Sequence, residues 1–379
     1  MTPRHPRVAS LDGLRGAAAV VVLIHHAALL NQRLASPYLA PAEPVTGVAA
    51  WLTYSPLHLA WAGTEAVYLF FVLSGLVLTL PRLGVDRDWS RYLPSRLVRL
   101  YGPVIAAVIF ALGTTFVVSR DGAASSQWLA NHPEYSPPAL LLDLTLIGGS
   151  SGVLTPLWSL QWEVLFSLLL PLYLFIGDRI RPLFFTLGAA GLLLLGAFTD
   201  NLALTFLPMF AIGAALGYAW TALQELAQRV NRLRAGWLVW MALAIVSHLL
   251  TLSYWLLGPG GIQYAAVTRL TVTLGTVGLI LVVAFAPSAR HLFSLAPVQW
   301  LGRISFSLYL THEPIVVACG FLLPERPTAA GVAAILIAFP VAWVFYLLVE
   351  RPIHRLSRRV ARRRELVPVG RRRRPDADG

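Results

Sequence analysis

Arg15 and His26 are the two residues near the start of the chain whose types and spacing suit chemistry. Eleven residues of α-helix turn by about 1100°, so both side chains lie on nearly the same face, roughly 16 Å apart along the axis. Asp12 lies one turn before Arg15 and can pair with its guanidinium. A guanidinium suits phosphate groups, and an imidazole can act as a base or a nucleophile. We therefore predict that Arg15 holds an anionic substrate and that His26 performs the chemical step.

Glu163 and His312 are ionisable residues in two later apolar segments. A charge at the centre of a bilayer costs roughly 2.5–3.5 kcal/mol on insertion scales, so such residues favour a functional interpretation. Counting about 1.5 Å per helical residue places Glu163 and His26 at similar depths, and we expect Glu163 to orient His26. His312 precedes Pro314, which frees a helix carbonyl. We expect His312 to bind the acceptor or to support an oxyanion, with simple hydrogen bonding in the bundle as the structural alternative.

Arg96 and Arg99 lie one turn apart at the start of the third apolar segment and share a helix face. Together with Arg15 they predict a site for the phosphates of an anionic substrate. The alternative is the ordinary excess of arginine in cytoplasmic loops, which is sufficient for Arg82 and Arg87.

The elements that must position these residues are membrane helices. Of the 379 residues, 57% are hydrophobic and the mean hydropathy is +0.67, which excludes a soluble domain. Apolar stretches approaching the ~20 residues that cross a bilayer recur along the whole chain. We predict an all-α integral membrane protein with about ten transmembrane helices. The predicted segments are 13–31, 64–80, 97–118, 155–176, 182–198, 202–220, 235–256, 268–286, 304–323 and 329–349.

The basic residues orient this predicted bundle. The net charge of +12 comes from arginine alone, and nearly all of it falls on alternate connections and on the C-terminal segment. The positive-inside rule then places both termini in the cytoplasm. This distribution also argues against a nucleic-acid partner. We expect residues 1–352 to form the membrane domain, and residues 353–379 to form a disordered arginine-rich tail that contacts anionic lipid.

Two smaller predictions concern packing and metal binding. Gly213 and Gly217 form a small-residue pair typical of close helix packing, as do the glycines between Thr271 and Gly278. Cys319 is the single cysteine and is expected to be structural. We predict no metal site.

Short motifs recur in a fixed order along nearly the whole chain: Leu11–Arg15 with His26, Phe70–Gly75, Arg96–Arg99 with Pro103, Trp158–Leu160 with Glu163, Ile304–His312 with Pro314, and Glu350–Pro352. Taken together, these motifs resemble the acyltransferase-3 family of membrane O-acyltransferases. This chain departs from the family pattern at Tyr68, where many members have an acidic residue and this chain offers Glu65, and at Thr311, where many have an aromatic one.

The resemblance implies transfer of an acyl group, often acetyl, from acyl-CoA to a hydroxyl of a carbohydrate, lipid-linked sugar or secondary metabolite. It further implies that Arg15 and His26 are essential. Our own hypothesis is that His26 acts as general base on the acceptor hydroxyl or first accepts the acyl group itself. We expect a multi-pass protein of the cell membrane in a stand-alone form, since the sequence after the last predicted helix is too short for an esterase-like domain. The alternative is a secondary transporter of an anionic or sugar-like solute, although no hydropathy repeat supports it.

Overall fold

A computed structural model describes residues 8–41, 43, 45–85, 87–120, 122–132, 134–146 and 148–363. The regular elements in this part of the chain are helices. Their bounds are α1 Ala9–Leu29, α2 Gln32–Leu39, α3 Gly47–Thr53, α4 Gly63–Thr79, α5 Trp89–Val117, α6 Gln127–Ala130, α7 Pro137–Thr145, α8 Leu157–Gly177, α9 Pro182–Phe198, α10 Leu202–Tyr218, α11 Trp220–Arg232, α12 Gly236–Thr251, α13 Ser253–Leu256, α14 Ala265–Phe285, α15 Pro287–Phe293, α16 Ala296–Leu322, α17 Pro327–Phe345 and α18 Arg351–Arg363.

Every predicted membrane segment coincides with one of these helices. Eight stretches are long and apolar enough to cross a bilayer, and they contain α1, α4, α5, α8, α10, α14, α16 and α17. Two shorter apolar helices, α9 and α12, complete the predicted set. The prediction of an all-α integral membrane fold is thus confirmed. Because the ten helices alternate in direction, the start of α1 and the end of α17 lie on one side, here called the arginine-rich side.

Glycine contacts set the distances between the main helices. A side chain at Gly16 of α1 would overlap the backbone of α16 at Gly302, and one at Gly302 would overlap the carbonyl of Asp12. The two helices run in the same direction and pack along much of their length. This close approach fixes the register between α1 and α16, which decides what their polar side chains meet.

The predicted small-residue packing is also confirmed. Gly213 of α10 meets the backbone of Val72 on α4, and Gly217 lies against Thr79 of the same helix. In α14, Gly275 and Gly278 face Thr251 and Ser247 of α12. Such contacts let helix backbones approach where larger residues would hold them apart.

The C-terminal segment requires a correction. Residues 353–363, expected to be disordered, belong to helix α18, which packs on α5; residues 364–379 lie outside the described part of the chain. Ile353 covers Gly102, and Ser357 Oγ donates to the carbonyl of Ser95 at 2.8 Å. Ile353, Ser357 and Val360 recur at helical spacing and are partly or fully buried, which explains why an arginine-rich sequence forms a docked helix.

Candidate active site

His26 and His312 meet because of the register between α1 and α16. Gly16 and Gly302 touch, and the two histidines lie ten residues further along each helix, about 15 Å beyond that contact. His26 Nδ1 lies 2.8 Å from His312 Nε2. Pro314 lies within α16, which continues through it as one helix. The two residues predicted on separate helices therefore form one hydrogen-bonded pair.

The hydrogen bonds assign the protons of this pair. His312 Nδ1 lies 2.9 Å from the carbonyl of Leu308, which can only accept, so Nδ1 donates. In the neutral ring Nε2 then carries a lone pair and accepts from His26 Nδ1. His26 consequently presents an unprotonated Nε2, the atom that a general base needs. The assignment makes His312 the partner that orients His26 and leaves His312 without a free donor for an oxyanion.

A buried carboxylate stands beside the open nitrogen of His26. Glu313 Oε1 lies 3.9 Å from His26 Nε2, with 0% of the Glu313 side chain and 12% of the His26 side chain exposed. The amide of Thr155 donates to Glu313 Oε2 at 2.6 Å, and the Thr155 hydroxyl donates to Oε1. His132 Nε2 approaches Oε1 at 3.2 Å. We call His26, His132, Thr155, His312 and Glu313 the histidine centre.

The connection between α5 and α8 supplies His132 and Thr155 from the side opposite the arginine-rich one. Buried Asp143 braces this connection by accepting from the Ser151 amide at 2.6 Å, the Ser151 hydroxyl at 2.8 Å and the Tyr135 hydroxyl at 3.0 Å. Burial raises the pKa of Asp143 above its ordinary value, while these hydrogen bonds act in the other direction. The connection is thus a built cover over the histidine centre.

Glu163 lies with the arginines. Its Oε1 accepts from Arg96 Nη2 at 2.5 Å, and Arg96 Nε donates to Ser167 at 3.2 Å. This corrects the prediction that Glu163 orients His26. Thr155 already contacts Glu313 beside His26, so Glu163, eight residues later, lies about 12 Å nearer the arginine-rich side than predicted. Ser167, one turn further along, shows that this face of α8 points to α5.

The three predicted arginines do come together. Electrostatic neighbours of Arg99 include Arg15, Arg96, Glu163 and Glu350. Arg96 is 9% exposed and forms an ion pair with Glu163. Arg99 is exposed and makes no hydrogen bond or ion pair with another described residue. Arg15 Nη2 donates to Asp12 at 3.1 Å, confirming the predicted pair, and its Nε is buried without a described partner. We call Arg15, Arg96, Arg99, Glu163 and Glu350 the arginine centre.

Glu350 ties the arginine centre to the helix that carries His312. It follows α17, and its Oε2 accepts from Ser307 of α16 at 2.5 Å, while His354 of α18 lies 3.6 Å from Oε1. The arginine centre thus lies about 16 Å from the histidine centre along α1, judged by Arg15 and His26. One centre offers cations and the other a base.

The profile of the acyltransferase-3 family, described as an acyltransferase domain, matches residues 8–347 of this chain. The chain belongs to this family. The match spans both histidines of the central pair and all three arginines, and ends just before Glu350.

Similar curated proteins give this acyltransferase family member further context. YrhL of Bacillus subtilis (strain 168), whose name provisionally describes a peptidoglycan O-acetyltransferase, is 24% identical over 83% of this chain and 50% of its own length. O-acetyltransferase PaAT-1 of Phomopsis amygdali is 24% identical over 83% of this chain and 73% of its own length. O-acetyltransferase OatA of Staphylococcus aureus (strain NCTC 8325 / PS 47) is 24% identical over 93% of this chain and 58% of its own length. The chain thus spans only half to three fifths of YrhL and OatA, and no solved structure matches it.

Sequence reasoning missed His132, Thr155 and the position of Glu313. His132 comes from a polar connection where no periodicity marks its direction, and it folds back on α16 through 181 residues of separation. Glu313 could have been singled out from the sequence, because an ionisable residue within an apolar segment indicates a functional site. His25 packs within the bundle: its ring covers Gly63, and its Nδ1 lies 3.0 Å from the carbonyl of Trp61.

Proposed function

We propose that this protein transfers an acyl group, acetyl in the simplest case, from acyl-CoA to a hydroxyl of a carbohydrate, lipid-linked sugar or secondary metabolite. The observation that carries the proposal is the contact between His26 Nδ1 and His312 Nε2, which leaves His26 Nε2 open as a base. The names of the similar proteins, all O-acetyltransferases, support the reaction type. The protein would act as a multi-pass protein of the cell membrane among lipids.

The arginine centre suits the acyl-CoA donor. Arg99 has no described partner, and the buried Nε of Arg15 lacks a hydrogen-bond acceptor. Guanidinium groups with free N–H donors suit phosphate oxygens, and burying a donor without an acceptor costs about 1–3 kcal/mol. Donor phosphates would satisfy these groups. Under the positive-inside rule this side faces the cytoplasm, where acyl-CoA is found. Arg96 would contribute its positive charge without binding the phosphates directly, because its guanidinium already pairs with Glu163.

The histidine centre suits the chemical step. His26 Nε2 would take the proton of the acceptor hydroxyl, whose oxygen forms the new ester bond to the acyl carbon. The carbon–sulfur bond of the thioester breaks, and His26 returns the proton to the leaving thiolate. His312 keeps Nδ1 of His26 protonated throughout. Trp128, stacked on the His26 ring with centroids 5.6 Å apart, restricts the ring to this orientation. Transfer of the acyl group to His26 itself would use the same open nitrogen.

The test is acyl transfer by purified protein in lipid nanodiscs, using radiolabelled acetyl-CoA and a panel of hydroxyl-bearing acceptors. We expect His26→Gln to lower the rate of acyl transfer by at least about 10²-fold, because glutamine keeps a hydrogen-bonding side chain but cannot accept the proton. His291→Gln is the matched control, since His291 is exposed on α15 on the arginine-rich side. Equal turnover by wild type and His26→Gln would refute the proposal.

A further inference from the structure

The carboxylate of Glu313 lies beside the nitrogen of His26 that takes up the proton in the proposed reaction. It follows His312 directly on α16, so two adjacent residues serve the two nitrogens of His26. His312 contacts Nδ1 at 2.8 Å, and Glu313 Oε1 lies 3.9 Å from Nε2. That distance is too long for a hydrogen bond, so the lone pair of Nε2 stays free. It is short enough for strong attraction once Nε2 carries a proton, because the carboxylate is fully buried.

The partners of Glu313 fix its charge state and position. The amide and hydroxyl of Thr155 both donate to it, which is the pattern expected around an ionised carboxylate. His132 Nδ1 lies 2.8 Å from the carbonyl of Trp128 and must donate there. In the neutral ring Nε2 then carries a lone pair, so its 3.2 Å contact with Glu313 Oε1 would join two acceptors. One of the two atoms must therefore carry an additional proton. We assign that proton to His132, which makes an ion pair with Glu313.

We propose that Glu313 is a positioning residue that stabilises protonated His26, and that His132 and Thr155 hold it in place for this role. The inference rests on the proposed acyl transfer. The other titratable groups that face His26 are His25 on its own helix, His312 on α16 and His132 from the α5–α8 connection. None of them is acidic, so Glu313 is the group here that can offset the positive charge formed on His26 during the reaction.

The position of Glu313 differs from that of a carboxylate that orients a catalytic histidine. A group that orients a histidine accepts a hydrogen bond from the nitrogen opposite the reacting one, and here His312 does this. Glu313 faces the reacting nitrogen itself and stays outside hydrogen-bond distance. A substrate hydroxyl can therefore reach His26 Nε2 without first breaking a bond between His26 and Glu313.

The experiment compares Glu313→Gln with wild type in nanodiscs, measuring kcat and both KM values between pH 5.5 and 9. We expect kcat to fall roughly 10²-fold with little change in either KM, and the acidic limb of the pH–rate profile to move to lower pH. A loss of folded protein scales the whole profile and leaves the limb in place. Glu325→Gln is the matched control, because Glu325 is exposed in the connection that follows the same helix.

His132→Gln and Thr155→Val supply independent variants. Thr155→Val removes a hydrogen bond that favours the ionised carboxylate of Glu313, so we expect a smaller shift of the acidic limb to lower pH. His132→Gln removes the positive charge assigned to His132, so we expect the limb to move to higher pH, with no further loss of kcat when His132→Gln is added to Glu313→Gln. If Glu313→Gln does not fold, the profile of Thr155→Val decides: a limb moved to lower pH supports the inference and an unshifted limb overturns it.

The two proposals fail in different ways. Wild-type protein without acyl transfer, or transfer that survives His26→Gln, refutes the proposed function. Transfer that depends on His26 while Glu313→Gln keeps wild-type kcat and an unshifted profile overturns only the role of Glu313.

Discussion

Replacing Arg96 by methionine should destabilise the protein through the carboxylate left behind. Arg96 is 9% exposed, and Glu163 is 22% exposed and accepts from it at 2.5 Å. Removing one member of a buried ion pair leaves an unpaired charge, which costs about 3–5 kcal/mol. Domains are typically stable by only about 5–15 kcal/mol, so Arg96→Met removes a large part of the total.

The double variant Arg96→Met with Glu163→Leu separates the ion pair from the loss of packing. Neither charge remains, and apolar replacements of buried ion pairs are often neutral or stabilising. We therefore expect the double variant to recover most of the stability lost in Arg96→Met. The assay is equilibrium unfolding in mixed micelles, followed by tryptophan fluorescence. A cost below about 1 kcal/mol for Arg96→Met, or a double variant no more stable than the single, would refute this reasoning.

The same double variant tests whether Arg96 serves the donor. If its guanidinium also helps to bind acyl-CoA phosphates, KM for the donor stays raised even after stability is recovered. Arg91→Met is the matched control, because Arg91 belongs to the same helix and pairs locally with Asp88. Recovered stability together with wild-type KM for the donor would remove Arg96 from the donor site.

Two further predictions concern packing and surface charge. Gly213→Val should prevent α10 from approaching the backbone of Val72 on α4 and greatly reduce the yield of folded protein, measured by size-exclusion chromatography. Gly113→Ala, at a helical position with open space, should be neutral or stabilising by up to about 1 kcal/mol; equal yields of the two variants would contradict the packing argument. Hydrogen bonding by Arg87 lowers the pKa of Asp178, so the pair stabilises the fold above the ordinary aspartate range and loses this contribution as pH falls through the lowered pKa. Because Asp178 is 40% exposed, Arg87→Ala should cost less than about 1 kcal/mol at pH 7, and a larger loss of unfolding free energy would show that the pair is more than a surface contact.

Features determined by local sequence could be predicted well. Helix positions follow from apolar length, and the shared face of Arg15 and His26 follows from helical period. The close contacts at Gly213 and Gly275 follow from the absence of a side chain. Helix position and helix face are properties of a single helix, and a glycine marks where a neighbouring helix can come close.

Partnerships between helices could not be predicted in the same way. Glu163 was predicted at the depth of His26, yet the contact of Thr155 with Glu313 sets Glu163 nearer the arginine-rich side, where it pairs with Arg96. The predicted segment 304–323 did not show that His312 reaches His26, because α16 begins at Ala296, eight residues earlier. The amphipathic pattern of α18 was present in the sequence, but the high proportion of arginine in this segment favoured a prediction of disorder.

The bond between His26 and His312 joins residues 286 positions apart, which has a consequence for biosynthesis. At about 5–20 residues per second, a ribosome needs roughly 15–60 s to pass from one to the other. During that interval α1 is already made, and Gly63 on α4 arrives in time to cover His25 but not His26. Assembly of the histidine pair is therefore a late event in biogenesis, and chains stalled before α16 should accumulate as insertion intermediates that lack it.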